Sequence, residues 1–531
     1  MGRVVAKVIG MILVLLQLIV SVVFMGFLFL SKYLTTDWML IVALVLLILV
    51  FLNLILQRWL ISGIFGKLLA IFLCVALGYG CYMLFNTNMA INKITADANG
   101  YKEIDQMNIY VLKDDVAQSV NDASAYTFGI LGAMDRENTD YTIQEIESNL
   151  GSSLTLKEYD EMTSLADGLY NSEVGAIIIN EAYAAVLSDT EGYEDFDSKV
   201  RTLTSVSHES ETVQALSAIP ANEITEKPFV LYLSGCDQSG DISTRGRSDV
   251  NILAIVNPNT KQILLLSTPR DYYVELASHP GEMKDKLAHA GIWGIEESMN
   301  TLGNLYGLDI DMYFKVNFTG FKDVINALGG IEVDSDVAFE AGTKASSQSE
   351  EETYTFTEGI NQLDGDAALA FARERHAFAS GDNQRGKNQM KVIAGVVKKM
   401  QSSTLLTNYA EIMNSVSESF ETNMTTEQIQ ALVKMQLTDM ASWSITTHAV
   451  VGSDDSQKTY SSPRLNHYVM IPNEESVDQA KALIEKVENG ESITEEDLGK
   501  DANSSDESGD DADTTSTDGT DAADTEDTAT E

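Results

Sequence analysis

Three stretches without a charged residue crowd the first 85 positions: 9–30 (IGMILVLLQLIVSVVFMGFLFL), 38–57 (WMLIVALVLLILVFLNLILQ) and 68–85 (LLAIFLCVALGYGCYMLF). Each has roughly the 20 apolar residues a helix needs to cross a bilayer. Inside hydrocarbon every backbone polar group must be satisfied within the segment, so helices are the conformation open to such runs. A cleaved signal peptide would account for the first run alone, not for two more that follow closely. Arg3 and Lys7 precede the first run, Arg58 and Lys67 separate the second from the third, and the short loop 31–37 carries Lys32 and Asp37. The excess of cations on cytoplasmic loops places the N-terminus and the second loop inside. The sequence therefore predicts a multi-pass protein of the cell membrane, with everything after residue 86 outside.

The chain has 531 residues and a formal charge of -44. Part of that charge lies in residues 501–531, which hold twelve Asp and Glu, no Lys or Arg and no aromatic residue. Such a segment buries too little apolar area to order itself. So acidic a chain has no basic element for nucleic acid. Cys74 and Cys81 fall in the third apolar run and Cys236 alone lies beyond it, so no disulfide framework is expected.

Composition divides the chain into three membrane helices (1–90), an accessory domain (95–222), a central domain (228–400), helices and strands packing on it (401–485) and an acidic disordered tail (486–531). The accessory region mixes helical stretches with apolar runs such as VGAIIIN (174–180), reads as a small α/β domain and carries no chemical motif. AIPANEITEKP (218–228) has the make-up of a linker. Beyond it, FVLYLSG (229–235), VNILAIVN (250–257) and QILLLST (262–268) are β-rich runs typical of strands buried on both faces. Helices are expected over 294–307 and 320–330, each stopped by glycine, with strands at 312–318 and 331–334. Further helices are expected over 364–374, 383–400 and 404–420. This alternation argues a central sheet covered by helices.

Charged residues gather in three places. In SGCDQSGDISTRGRSD (234–249), Asp237 leaves one strand and Asp249 begins the next, so both carboxylates lie at one end of adjacent strands. There they can share a hard cation such as magnesium, which prefers oxygen ligands and bridges to phosphate. If the stretch is extended, Arg245, Arg247 and Asp249 point the same way. A solvated glycine-rich hairpin is the alternative. In STPRDYY (267–273), Arg270 and Asp271 follow a buried strand, where open α/β sheets place ligands. KLAHAG (286–291) adds Lys286 and His289, which ranks lower because a lone histidine is more often structural.

The third place, ALAFARERHAFASGDNQRGKNQ (368–389), packs Arg373, Arg375, Arg385 and Lys387 into one segment. Arg373 and Arg375 would not face each other on a continuous helix, so the helix should fray there. Asp382, Arg385 and Gln389 make one polar stripe on the following helix, and Met390, Ile393, Val397 and Met400 an apolar one. A helix N-terminus flanked by arginines suits a phosphate. A solvated cationic face is the alternative here. Taken together, the three clusters fit a diphosphate, whose oxygens match guanidinium forks.

At this point the residues resemble the LytR–CpsA–Psr (LCP) family of cell-wall glycopolymer ligases. The matching pieces are LSGCD with RGRSD, LLLSTPRD, KLAHAG, FTGFKDVINALGGIEV, ALAFARER and GDNQRGKNQ, in the family's order over residues 229–400. Three membrane spans and an extra domain resemble the capsule-associated CpsA branch. The resemblance implies an α/β fold with a central mixed sheet flanked by helices and an apolar groove for a polyprenyl tail. It implies a magnesium-dependent phosphotransferase that moves a glycopolymer, such as capsular polysaccharide, from an undecaprenyl-diphosphate carrier to peptidoglycan, with diphosphate hydrolysis as a side activity. Capsule-synthesis proteins are further partners it suggests.

Carried over by motif, Asp237 and Asp249 match the magnesium-binding carboxylates. Arg247, Arg270, Arg373, Arg375 and Arg385 match the arginines around the diphosphate, Gln389 a phosphate contact, and Asp382 an acid that positions the arginines. Many members have an arginine where this chain has Asn388, a loss Lys387 is placed to offset. Asp249 and Asp271 are the candidate general bases, and Ile295, Leu302 and Val324 candidate linings of the tail groove. A non-catalytic receptor for polyprenyl diphosphate that regulates polysaccharide synthesis is the rival reading. A transcriptional regulator is disfavoured by the charge of the chain.

Overall fold

The computed structural model describes residues 2–59, 64–95, 101–214, 217, 219–236, 241–343, 352–378, 381–400 and 420–499. Asp237, residues 500–531 of the expected acidic tail and most of the helix expected over 404–420 lie outside them. Phe420, the last residue of that expected helix, instead opens a strand. Residues 486–499, read as the start of a disordered tail, are instead structured, with the helix Glu474–Glu488 running into them and a further helical turn at Glu495–Leu498.

The apolar runs form α1 (Gly2–Ser31), α2 (Thr36–Trp59) and α3 (Ile64–Ile94). All three are long and apolar enough to cross a membrane, with mean hydropathies of 2.9, 3.3 and 2.2. Their polar residues face inward: Asn53 on α2 donates to Gln17 on α1 at 2.6 Å, and both are buried. Such a bond between helices is favourable where the alternative is lipid. At the carboxyl-terminal end of α3, Thr95 bridges to Thr422, and its hydroxyl lies 3.0 Å from that of Thr426. The body that carries Thr422 and Thr426 thus rests directly on the third helix.

Residues 101–214 fold on their own five-stranded sheet. Its strands are β1 (Tyr101–Leu112), β2 (Thr127–Leu131), β3 (Thr155–Tyr159), β4 (Ala176–Asn180) and β5 (Val200–Gln214), in the order β3-β2-β4-β1-β5. Helices α4 (Arg136–Leu150), α5 (Met162–Tyr170) and α6 (Glu181–Ser188) cover it. β4 is apolar from Ala176 to Ile179 because both faces are covered: Ile177 and Ile179 join one cluster with α5 and α6, Ala176 and Ile178 another. Asp135, ahead of α4, is held in the left-handed region at φ 54 and accepts from Asn138 Nδ2 at 2.6 Å. Burial, with Asp105 nearby, pushes its carboxyl up to about 6.

This shift has a measurable consequence. Because the folded pKa lies above the unfolded one, folding takes up a proton between about pH 4 and 6, and the cost of charging Asp135 is complete above that window. Asp135→Asn should therefore raise the melting temperature of the accessory domain at pH 7.5, by on the order of 2 kcal/mol of stability. The gain should vanish near pH 4; a pH-independent gain would rule out titration of Asp135 as the cause.

The second body is a three-layer sandwich. Its central strands are β6 (Phe229–Cys236), β7 (Val250–Asn257) and β8 (Gln262–Ser267). After α7 (Ile295–Tyr306) comes β9 (Met312–Asn317), then α8 (Phe318–Ala327), β10 (Ile331–Ser335) and β11 (Gly359–Leu363). They are followed by α9 (Gly365–Arg373), α10 (Asp382–Met400), β12 (Phe420–Thr422), α11 (Thr426–Asp439), β13 (Ser444–Ala449) and α12 (Glu474–Glu488). The six-stranded sheet runs β12-β9-β6-β7-β8-β13. β7 is antiparallel to β6 and β8, whereas β9 runs parallel to β6 and β13 parallel to β8, so the sheet is mixed.

Alternation along the strands sorts side chains to opposite faces. Leu253, Ile255 and Leu264 pack with Leu302 of α7 and Leu483 of α12. Ile252, Ala254 and Leu265 pack with Met390 and Ile393 of α10. The apolar face of α10 departs from the expected stripe. Val392 is fully buried and Val396 packs beside it, while Met400 is 40% exposed. Two further expectations change. Ile224, inside the stretch read as a linker, is wholly buried against the sheet. Ile295 and Leu302 belong to the core, and Val324 packs beneath α9 in a separate cluster.

Candidate active site at the carboxyl ends of the sheet

Strand directions bring the carboxyl ends of β6, β8, β9 and β13 and the start of β7 to one edge. Loops meeting at such an edge can converge on a ligand that no single strand could surround. β6 ends at Cys236, and the start of β7 is preceded by Asp249, whose amide donates to Gly235 O at 2.9 Å. Arg270 follows β8.

The loop that carries Arg247 and Asp249 is fixed from below. Fully buried Tyr232 reaches Ser248 Oγ at 2.8 Å and donates to Asn251 Oδ1 at 2.7 Å. Ser248 N donates to Ala288 O, and Ala288 N to Arg270 O, so one chain of backbone bonds sets both arginine-bearing loops. Gly291 is required here: a Cβ would sit 2.4 Å from Gly246 O.

A narrow cleft opens at this edge, lined by Asp249, Arg270, Asn383, Arg385, Gly386 and Gln389, with Ser267 and Thr268 at its base. α10 reaches the sheet closely because Gly386 faces Ser267; a Cβ there would lie 2.8 Å from Ser267 Oγ. The polar stripe of α10 thus delivers Arg385 and Gln389 to the cleft. Asp382 is the first residue of α10.

Arg270 is the centre of an ion chain. Its Nη1 donates to Asp249 Oδ1 at 2.8 Å, its Nε lies 3.5 Å from Asp271 Oδ2, and Lys286 Nζ is 3.0 Å from Asp271 Oδ1. Burial opposes charge on Arg270, but Asp249 and Asp271 outweigh it and hold its pKa above the ordinary value. Burial would likewise raise Asp271, yet Lys286, Arg270 and Arg385 together keep it below the usual carboxylate range. Asp271 is 4% exposed and locked between two cations, so it orients Arg270 and is no candidate base. Asp249 remains on the wall of the cleft. Arg270 Nε and Asn383 Oδ1 are buried without a hydrogen-bond partner, polar capacity that a bound group can use.

The other expected arginines do not line this cleft. Arg373 ends α9 with its guanidinium 4.5 Å from the Phe318 ring, at the carboxyl end of β9. Helix α9 does stop at Arg373, and Arg375 Nε is 3.4 Å from His376 Nε2. Arg247 turns to Asp189 of the accessory domain, and Arg245 to Glu103 and Asp105, both at 3.0 Å. Alternation had placed Arg245, Arg247 and Asp249 on one side; the three take three different partners.

Asn388, in place of the family's arginine, is buried, accepts from Gln384 at 3.1 Å and donates to Phe371 O at 3.4 Å, tying α10 to α9. Lys387 lies near His448, which burial and that cation hold below its ordinary pKa. His289 is a structural pin: its Nδ1 is 2.6 Å from Asp285 and 3.0 Å from Ser461 Oγ, all buried. Sequence reasoning missed Asn383, Ser267 and Lys315. Lys315, buried on β9, lines a second, small cavity beside Arg247.

Among the described residues no three His, Cys, Asp or Glu side chains come together. Asp249 supplies hard oxygen donors on the cleft wall. One or two carboxylates completed by phosphate oxygens and water are the usual holding for magnesium, so the donor chemistry fits that ion.

The LytR_cpsA_psr family profile matches residues 193–485. The polyisoprenyl-teichoic acid–peptidoglycan teichoic acid transferase TagU of Enterococcus faecalis is 36% identical over 225 residues, 42% of this chain and 70% of that protein. The corresponding transferase TagV of Bacillus subtilis is 32% identical over 265 residues, 50% of this chain and 66% of that protein. A crystal structure of B. subtilis TagV has 29% identity and a TM-score of 0.41, covering 50% of this chain and 99% of that one.

Proposed function

The chain belongs to the LytR–CpsA–Psr family, and from that premise we propose that it transfers a cell-wall glycopolymer from a polyprenyl-diphosphate carrier to peptidoglycan. The single observation that carries this reading is the cleft where Arg270 and Arg385 stand with Asp249 and Gln389. Two cations and an amide at the carboxyl edge of a sheet can grip a diphosphate through charge-assisted bonds. The relatives named for polyisoprenyl-linked teichoic acid and peptidoglycan support the same substrate classes for this protein.

In the proposed reaction a peptidoglycan hydroxyl attacks the phosphorus next to the glycan. The new O–P bond forms as the bond to the bridging oxygen breaks, giving a phosphodiester and polyprenyl phosphate. The hydroxyl proton passes to solvent, because Asp249 is held by Arg270 and assigned to magnesium. Arg270 and Arg385 balance charge on the phosphate oxygens, and Asp271 with Lys286 keeps Arg270 from turning away. Asp249, with Asp237, would hold magnesium, which supplies further charge neutralisation at the diphosphate when bound. Undecaprenol as the carrier and capsular polysaccharide as the polymer extend the same reading. The three helices keep the site at the outer leaflet, where the lipid substrate lies, with the N-terminus in the cytoplasm.

The test uses the full chain in detergent micelles with lipid-linked glycan, peptidoglycan and magnesium. Covalent glycan on peptidoglycan, with polyprenyl phosphate released in equal amount and the reaction stopped by EDTA, is the expected result. Binding of the lipid with no product would establish the receptor instead.

A further inference from the structure

The loop between β6 and β7 has two arginine arms on the accessory domain, and they are built differently. Arg245 is the fixed arm. It pairs with Glu103 and Asp105, which are 1% and 3% exposed, and its backbone joins β1 through Ile104 N to Ser243 O and Arg245 N to Ile104 O, at 3.0 and 2.8 Å. Glu103 also accepts from Ile295 N at 2.8 Å, so the same carboxylate grips the start of α7.

Arg247 is the second arm, and its partners are far less enclosed. Its Nη1 meets the carboxylate of Asp189, whose side chain is 38% exposed, and lies 3.3 Å from Ala185 O. Both partners belong to the last turn of α6 and its cap, the negative end of a helix. A carboxylate beside an open carbonyl presents a guanidinium with the oxygen pattern a phosphate would. The charge of Asp189 is also felt by Arg270, on the cleft itself.

We propose that Asp189 stands in for phosphate on Arg247: it holds that arginine when no diphosphate is bound, and an incoming diphosphate exchanges with it. The inference rests on the diphosphate reading above and extends it to Arg247, which here is turned to Asp189 and lies outside the cleft. The energies favour exchange. A part-exposed carboxylate pair contributes little, whereas a forked Arg–phosphate contact is roughly twice as strong as a neutral hydrogen bond and carries more charge. The accessory domain, fixed through Arg245, then sets how tightly the diphosphate binds by competing for Arg247, and learns of its arrival when Asp189 is released.

The probe is farnesyl diphosphate titrated into the full chain in micelles by calorimetry, with inorganic pyrophosphate in parallel to separate headgroup from tail. Asp189→Asn keeps the shape of the cap and removes the competing charge. It should tighten both probes roughly two- to fivefold, the range of one part-exposed ion pair. The gain should disappear when Arg247→Ala is added, and thermal unfolding should show Asp189→Asn as well folded as the parent. Equal or weaker binding by Asp189→Asn, with the parent binding normally, overturns the exchange and leaves the diphosphate site standing. A parent chain that binds neither probe overturns the diphosphate site and the exchange with it.

Discussion

Arg270→Ala is expected to lower glycopolymer transfer by about a thousandfold, the upper end of what one preorganised donor supplies in a transition state. Three features put it there. The guanidinium is buried, it bridges the wall carboxylate Asp249 to Asp271, and its Nε has capacity that the protein does not use. Losing it also strips Asp271 of one of its two close cations. Arg270→Lys retains a charge but not the fork, and should recover only part of the activity. Pairing Arg270→Ala with Asp271→Asn should restore melting temperature without restoring transfer. More than a tenth of parental activity in Arg270→Ala, measured as glycan on peptidoglycan, would remove Arg270 from the reaction.

The largest stability effect should come from Arg245→Ala. Glu103 and Asp105 would remain as buried carboxylates without their cation, and breaking a buried pair in this way costs about 3–5 kcal/mol. Because these contacts join the two bodies, the accessory domain should come loose rather than the sheet unfold. Limited proteolysis should then cut between residues 214 and 229 in Arg245→Ala and spare the parent. Adding Glu103→Gln and Asp105→Asn should recover most of the protection. If the single variant resists protease as the parent does, the ion pairs do not hold the domains together.

Much of the central body is legible in the chain because its signals are local. β6, β7 and β8 have long apolar middles since helices cover both faces of the sheet. α7 ends at Tyr306 because Gly307 follows at φ 72, a turn that other residues resist. Arg385 and Gln389 share the cleft because four residues make about one turn of α10. Arg247 was legible as a cation near the end of the sheet but not in its pairing. Asp189 lies 58 residues away, and no periodicity in RGRSD reports on it. Asn383 was missed for a similar reason, since an asparagine in a first helical turn reads as a cap and only packing against β8 turns it to the cleft. Ile224 was read as linker because its neighbours are polar; its burial depends on a sheet that the stretch itself does not form.

By itself the sequence determined the three long apolar helices, the buried strands and the edge of the sheet where charge collects. These follow from continuous apolarity, residue spacing and glycine stops, which act over a few residues. Only the tertiary structure decided the partner of each arginine: Arg270 with Asp249 and Asp271, Arg245 with Glu103 and Asp105, Arg247 with Asp189. A guanidinium pairs with whichever carboxylate the packed layers bring within about 4 Å, and that distance is set by contacts between segments far apart in the chain.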